Sequence, residues 1–164
     1  WTEVNNLVTA RQYAAVCGLT STAAICVGGY GIPSASPYSN GPGSRVGLTE
    51  TWDGTSWTQS ANTLALGRIE SALSGTSTDA VIAGGSTGDP APPTAPTATA
   101  ETWDGTSWTS VASMADVQKN GGKSSSGGST TSIVMGGGPA GSVSASEEWT
   151  VPATTYATKT FTAS

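Results

Sequence analysis

At 164 residues the chain has the length of about one domain, and six Lys and Arg stand against eleven Asp and Glu, with no His, for a net charge of −5. That balance argues against a nucleic-acid partner, whose phosphates need clustered cations, and no apolar run approaches the ~20 residues that span a bilayer. Leu, Ile, Val and Phe total only 23, so low-complexity disorder is the default reading unless periodicity overturns it.

Taken in chain order, Trp1-Thr2-Glu3 has neither the basic end nor the apolar core of a signal peptide, and there is no initiator Met. The chain therefore reads as an internal or processed segment. Arg11 precedes a first short strand, and Ile25-Cys26-Val27 ends a second at Gly28-Gly29. Cys17 and Cys26 flank the turn between the two. A register centred between Ser21 and Thr22 would set them opposite each other, within disulfide reach; two small buried hydrophobes are the equal alternative. A long connection, Tyr30 to Leu48, carries Tyr30, Tyr38 and Arg45, residue types that anchor interfaces well.

The next run, Glu50-Thr51-Trp52-Asp53-Gly54-Thr55-Ser56-Trp57-Thr58, recurs 51 residues later as Glu101 to Thr109. Between the copies, Arg68 to Ser74 predicts a first strand and Ala80 to Ala83 a second, closed by Gly84-Gly85. Glycine there permits positive φ or a close approach by a neighbour. The stretch from Asp89 to Pro96 is too rich in proline for a central strand and is expected to be a loop. A third strand from near Ala98 ends at Trp103, and Asp104-Gly105-Thr106-Ser107 reverses the chain into a fourth that opens at Trp108. Trp103 and Trp108, like Trp52 and Trp57, are expected to be cross-strand partners. A third, decayed copy has Ile133-Val134-Met135 before Gly136-Gly137, the short link Gly138-Pro139-Ala140-Gly141, and Glu147-Glu148-Trp149-Thr150. It carries Gln118 and Lys119 where Arg is expected, and Val151 to Tyr156 in place of the closing Trp hairpin. Periods near 50 residues with four short strands each indicate propeller blades, in approximate units 1–57, 58–108 and 109–164.

These landmarks together resemble the kelch repeat: Arg before the first strand, an apolar strand ending in Gly-Gly, then Glu-x-Trp, a tight turn and a closing Trp. The Gly/Ser/Thr-rich version with Trp-Asp-Gly-Thr-Ser-Trp is similar to kelch-type proteins of marine bacteriophages and bacteria. The resemblance implies an all-β propeller segment of three four-stranded antiparallel blades. Three blades do not close a ring, so further blades are expected from missing sequence or from an oligomer. Trp1-Thr2 matches Trp57-Thr58 and Trp108-Thr109, which places residue 1 partway through a hairpin.

No catalytic set is evident. The lack of His removes Ser-His-Asp and Cys-His nucleophile systems and most transition-metal sites; kelch-type copper oxidases need imidazole ligands, so that activity does not carry over. Neither a cofactor nor a metal is expected. Gly121-Gly122-Lys123-Ser124 has only the tail of a phosphate loop. Glu50, Glu101 and Glu147 could pair as glycosidase carboxylates, but a residue repeated once per unit is more often architectural. The tryptophans allow two readings. Each buried indole contributes on the order of 4–6 kcal/mol at most, which suits inter-blade packing; an exposed face suits sugar stacking, as in lectin propellers. The expectation is a non-catalytic interaction module of a virion or extracellular cell-surface protein, binding protein subunits or host glycans through loops between second and third strands. A carbohydrate-binding propeller is the alternative.

Overall fold

The computed structural model describes residues 1–31, 44–87, 96–123, 127–138 and 144–151. Among them there is no helix. The first unit contributes β1 (Arg11–Gln12), β2 (Ala15–Thr20), β3 (Ala23–Val27), β4 (Tyr30–Gly31), β5 (Ser44–Arg45), β6 (Thr49–Trp52) and β7 (Trp57–Gln59). Four of these form an antiparallel sheet in the order β2-β3-β6-β7, and β1-β4-β5 make a small second sheet. The second unit repeats the plan with β8 (Arg68–Ile69), β9 (Ala72–Gly75), β10 (Ala80–Ala83), β11 (Ser86–Thr87), β12 (Ala100–Trp103) and β13 (Trp108–Val111). Its main sheet runs β9-β10-β12-β13, with β8 and β11 paired beside it. In the third unit β14 (Gly122–Lys123), β15 (Thr131–Met135) and β16 (Ser146–Thr150) form the first three strands of the same sheet. Residues 152–164, where the sequence places its fourth strand, lie outside the described residues.

The registers of the three main sheets superpose. Ala24 faces Trp52, Ala80 faces Trp103 and Ser132 faces Trp149; Cys26, Ile82 and Val134 face Glu50, Glu101 and Glu147. The sheets stack in chain order. Ala80 and Ile82 pack with Ile25 and Val27 of the first unit, while Ala83 on the other face packs with Val134 of the third. A strand covered on both faces needs an unbroken apolar run, and Ala80-Val81-Ile82-Ala83 supplies one.

The stretch predicted as one strand from Arg68 to Ser74 is two. Glu70 breaks it at a positive φ of 59°, as Tyr13 (58°) and Asn120 (57°) do in their units. Left-handed backbone costs a non-glycine residue about 1–2 kcal/mol. Here the turn leads the chain into the main sheet and, in the second and third units, points the amide at the preceding unit. Glu70 N donates to the Tyr13 carbonyl at 3.3 Å, and Asn120 N to the Glu70 carbonyl at 2.9 Å.

The double glycines end β3, β10 and β15. Gly28, Gly84 and Gly136 donate to Leu48, Thr99 and Ala145 carbonyls at 2.9, 3.1 and 2.8 Å, holding the second main strand to the approach of the third. Gly28 has φ of 67° and lies where a Cβ would sit 2.6 Å from the Arg68 carbonyl of the next unit. A Cβ on Gly84 would likewise run into the Gln118 carbonyl. The second glycine then bonds across the gap, Gly29 N to Arg68 O at 2.8 Å and Gly85 N to Gln118 O at 2.7 Å. Only glycine satisfies both the dihedral and the clearance.

Candidate functional site

Each unit builds the same polar knot where its third main strand meets the chain entering the unit. The Glu50 carboxylate is fully buried, accepts from the Val8 and Thr9 amides at 2.7 and 3.2 Å, and pairs with the Arg11 guanidinium at 3.0 Å. Arg11 also donates to the Cys26 and Leu48 carbonyls, both at 3.3 Å. In the second unit Glu101 accepts from Ala65 N at 3.0 Å and pairs with Arg68 at 2.7 Å, and Arg68 continues to the Thr99 and Gly84 carbonyls. Burial pulls the Arg68 pKa below its ordinary value, and the Glu101 charge opposes that. In the third unit Glu147 keeps both amides, Ala115 N at 2.6 Å and Asp116 N at 3.1 Å, but its side-chain donor is the neutral Gln118 amide at 3.3 Å. The amide contacts recur in every unit and the cation does not. The glutamate is a backbone clamp first and an ion-pair partner second.

Both oxygens of Glu50 and of Glu101 accept from fixed donors, and the two carboxylates lie in different sheets. Among the described residues no group of three or more Cys, Asp or Glu is placed to hold a metal ion.

The tryptophans close the opposite end of each sheet. Trp52, Trp103 and Trp149 donate their indole N–H to the carbonyls of Ser21, Ser77 and Ser129, each at 3.0 Å, tying the third strand to the turn between the first two. Trp52 is 8% exposed and Trp103 1%. Trp57 and Trp108 are half-buried and lie against them, with ring centroids 5.5 and 5.2 Å apart. Trp108 reaches further: its N–H donates to the Thr49 hydroxyl of the preceding unit at 2.8 Å. Asp53 and Asp104 brace the hairpins between these pairs. Each carboxylate accepts from two backbone amides at 2.7–2.8 Å (Thr55 and Ser56; Thr106 and Ser107), and these bonds hold its pKa below the usual carboxylate value.

Of the predicted interaction residues, Tyr30 and Arg45 face each other across β4 and β5, both half-buried, so they root the long connection in the small sheet. Tyr38 lies outside the described residues, as do Asp89–Ala95 of the proline-rich loop and Pro139–Gly141 of the third link. Pro96 makes a single bridge to Ser86, away from the main sheet.

Cys17 and Cys26 are free thiols. The pairing is Val16 with Cys26 and Cys17 with Ile25, because an irregularity between Cys17 and Thr20 shifts the register by one residue. A one-residue shift puts the side chains on opposite faces, so the disulfide alternative is ruled out. Burial raises the Cys17 pKa to about 11.

A cavity of about 240 Å³ lies between the second and third sheets, and Ala72, Val81, Ala83, Val134, Trp149, Lys123 and Glu147 are among the residues that line it. The contacts missed from sequence are the Val8, Thr9 and Ala65 amides on the glutamates and the Thr49 hydroxyl on Trp108. The recurring Arg and Glu were visible, but their partnership was not, since 39 residues separate Arg11 from Glu50 and 33 separate Arg68 from Glu101.

A scan against protein-family models and a search of curated proteins find no match to this chain.

Proposed function

We propose that this chain is part of a kelch-like β-propeller acting as a non-catalytic interaction module of a virion or cell-surface protein. The observation that carries the reading is what the repeated residues do. Glu, Arg, Trp and Gly-Gly are all engaged in clamping one sheet or joining two, while the segments that differ between units are the connections of the second strand to the third. Selection for binding acts on such variable connections, because they change without disturbing the stack. Radial packing has further support in the side-by-side placement of the first main strands β2, β9 and β14, as expected where blades converge on an axis. The lectin alternative loses its best residues, since Trp52 and Trp103 are buried and hydrogen-bonded.

The test replaces residues 32–43, which include Tyr38, with a short Gly-Ser linker in the parent protein. Lost assembly or host attachment with an unchanged melting temperature supports the module; unchanged binding with an intact fold refutes it. Binding of the intact chain to a glycan array, abolished by Trp57→Ala, would favour the lectin reading instead.

A further inference from the structure

The third knot lacks the cation that the other two have. Gln118 stands where Arg68 stands: its carbonyl accepts from Gly85 N as the Arg68 carbonyl accepts from Gly29 N. Ala145 stands where Thr99 and Leu48 stand, each of the three carbonyls accepting from the first glycine of its pair at 2.8–3.1 Å. In the first two units that carbonyl has a second donor, the guanidinium, at 3.3 Å from Leu48 and 3.0 Å from Thr99. The same guanidinium neutralises the glutamate. In the third unit the Ala145 carbonyl has the Gly136 amide alone among the described residues. No cationic side chain among them pairs with Glu147, and Lys119 is engaged with Glu70 at 3.7 Å.

The Gln118 side chain shows the consequence. It is 2% exposed, and its Oε1 is buried without a hydrogen-bond partner, while Nε2 donates to Glu147 Oε1 at 3.3 Å. A buried acceptor left without a donor is unfavourable. Turning the amide over does not cure this, since it sets Oε1 against the carboxylate instead. In either orientation one oxygen lacks a positive partner. Glutamine is also shorter than arginine, so the amide reaches the carboxylate but not the carbonyl that the Arg68 guanidinium reaches as well.

We propose that the third knot binds a hard metal cation, held by Gln118 Oε1, the Glu147 carboxylate and the Ala145 carbonyl, with water completing its shell. The ligand class follows from the donors. All are oxygens and one is anionic, a set that suits Ca²⁺ or an alkali cation rather than a transition metal. A cation here neutralises Glu147 as Arg11 and Arg68 neutralise Glu50 and Glu101, and it gives Oε1 and the carbonyl the partner they lack. A water molecule would satisfy the oxygens but not the charge. Glu147 also lines the cavity between the second and third sheets, which leaves room beside the carboxylate for the waters of the ion. A single carboxylate makes the binding weak, with a Kd of about 10⁻⁴–10⁻³ M, the range of extracellular Ca²⁺ modules.

Thermal melts of the chelator-treated intact chain test the proposal, with CaCl2, KCl and NaCl each compared with choline chloride at constant ionic strength. The expected result is a melting temperature that climbs with the concentration of one of these cations, as mass action requires for a ligand of the folded state. A response to millimolar CaCl2 assigns Ca²⁺, and a response only to KCl or NaCl assigns the alkali cation; either supports the site. Gln118→Arg restores the residue of the other two units. It should abolish the ion response and raise the melting temperature in choline chloride. Gln118→Met keeps the length without the oxygen and should abolish the response with no such rise, so the test stands even where the arginine variant does not fold. No response to any of the three salts means that water alone fills the knot and overturns the proposal. An ion response that survives either substitution places the ion elsewhere and overturns it equally.

Discussion

The two junctions within the chain share a backbone frame and differ in what fills it. Between the first and second sheets lie Ile25, Val27, Leu64, Leu73, Ile82 and Trp103, all nearly or fully buried. Between the second and third, the matching positions shrink on both sides: Ile25 becomes Val81, Val27 becomes Ala83, Ile82 becomes Val134, and Leu73 becomes Lys123. The result is the 240 Å³ cavity, a knot in which Gln118 replaces an arginine, and a half-buried Trp149 in place of a buried Trp103. Yet at two matching positions the backbone bonds across the second junction are the shorter ones: Gly85 N and Asn120 N donate at 2.7 and 2.9 Å, where Gly29 N and Glu70 N donate at 2.8 and 3.3 Å. Backbone bonds set the spacing of the repeat, and the apolar fill sets how firmly each junction holds.

The largest effect is expected at the knots. Arg68→Ala leaves the buried Glu101 carboxylate without its counter-charge and should cost about 3–5 kcal/mol in urea unfolding. Gln118→Ala removes a neutral donor from a less buried acid and should cost under about 1.5 kcal/mol. Equal costs would mean the two knots do the same work. Trp103→Ala follows, at roughly 3–5 kcal/mol, with Trp149→Ala at less than half of that because its ring already borders a void.

Exchanging the fill should move stability in opposite directions. Ala83→Val extends into the cavity and should add about 0.5–1 kcal/mol, while Val27→Ala at the matching position should remove about 2 kcal/mol. A loss from Ala83→Val would show that the cavity walls do not accept the volume.

Acid should expose a further difference. Asp53 and Asp104 have folded pKa values lowered by their backbone bonds, so their contribution is complete above the ordinary Asp value of about 4 and is lost as pH falls through the lowered folded values. Asp53→Asn with Asp104→Asn keeps an acceptor but no titration. The melting temperature of that variant should fall less between about pH 4 and pH 2 than that of the natural sequence. A parallel decline would assign the acid sensitivity elsewhere. The smallest effect concerns Cys17. A pKa near 11 leaves little thiolate at pH 8, and alkylation in the native state should be far slower than in urea.

Much of this fold was legible because its landmarks are local. Trp-Asp-Gly-Thr-Ser-Trp encodes a hairpin within six residues, and the structure pairs Trp52 with Trp57 and Trp103 with Trp108 accordingly. The glycine pairs were legible as stops and as places open to a close approach by a neighbour, though the carbonyls that approach them, Arg68 O and Gln118 O, were not. What escaped reading depends on partners distant in sequence or on a single dihedral. No propensity marks Glu70, Tyr13 and Asn120 as one left-handed position, since three unlike residues occupy it. The register slip that separates Cys17 from Cys26 arises beside Gly18, where a Cβ would meet the Ala23 carbonyl at 2.5 Å; equal spacing from the turn gave no sign of it. The repeated glutamates were legible as architectural, while the amides they clamp became visible only once the sheets were stacked.

Native-state hydrogen exchange tests the central claim most directly, because four amides report on the two junctions alone: Gly29 and Glu70 on the first, Gly85 and Asn120 on the second. If apolar fill governs how firmly the sheets hold, Gly29 and Glu70 exchange more slowly than Gly85 and Asn120, in spite of their equal or longer bonds. Equal protection, or slower exchange at Gly85 and Asn120, would show that the hydrogen bonds themselves set junction strength and would contradict the account.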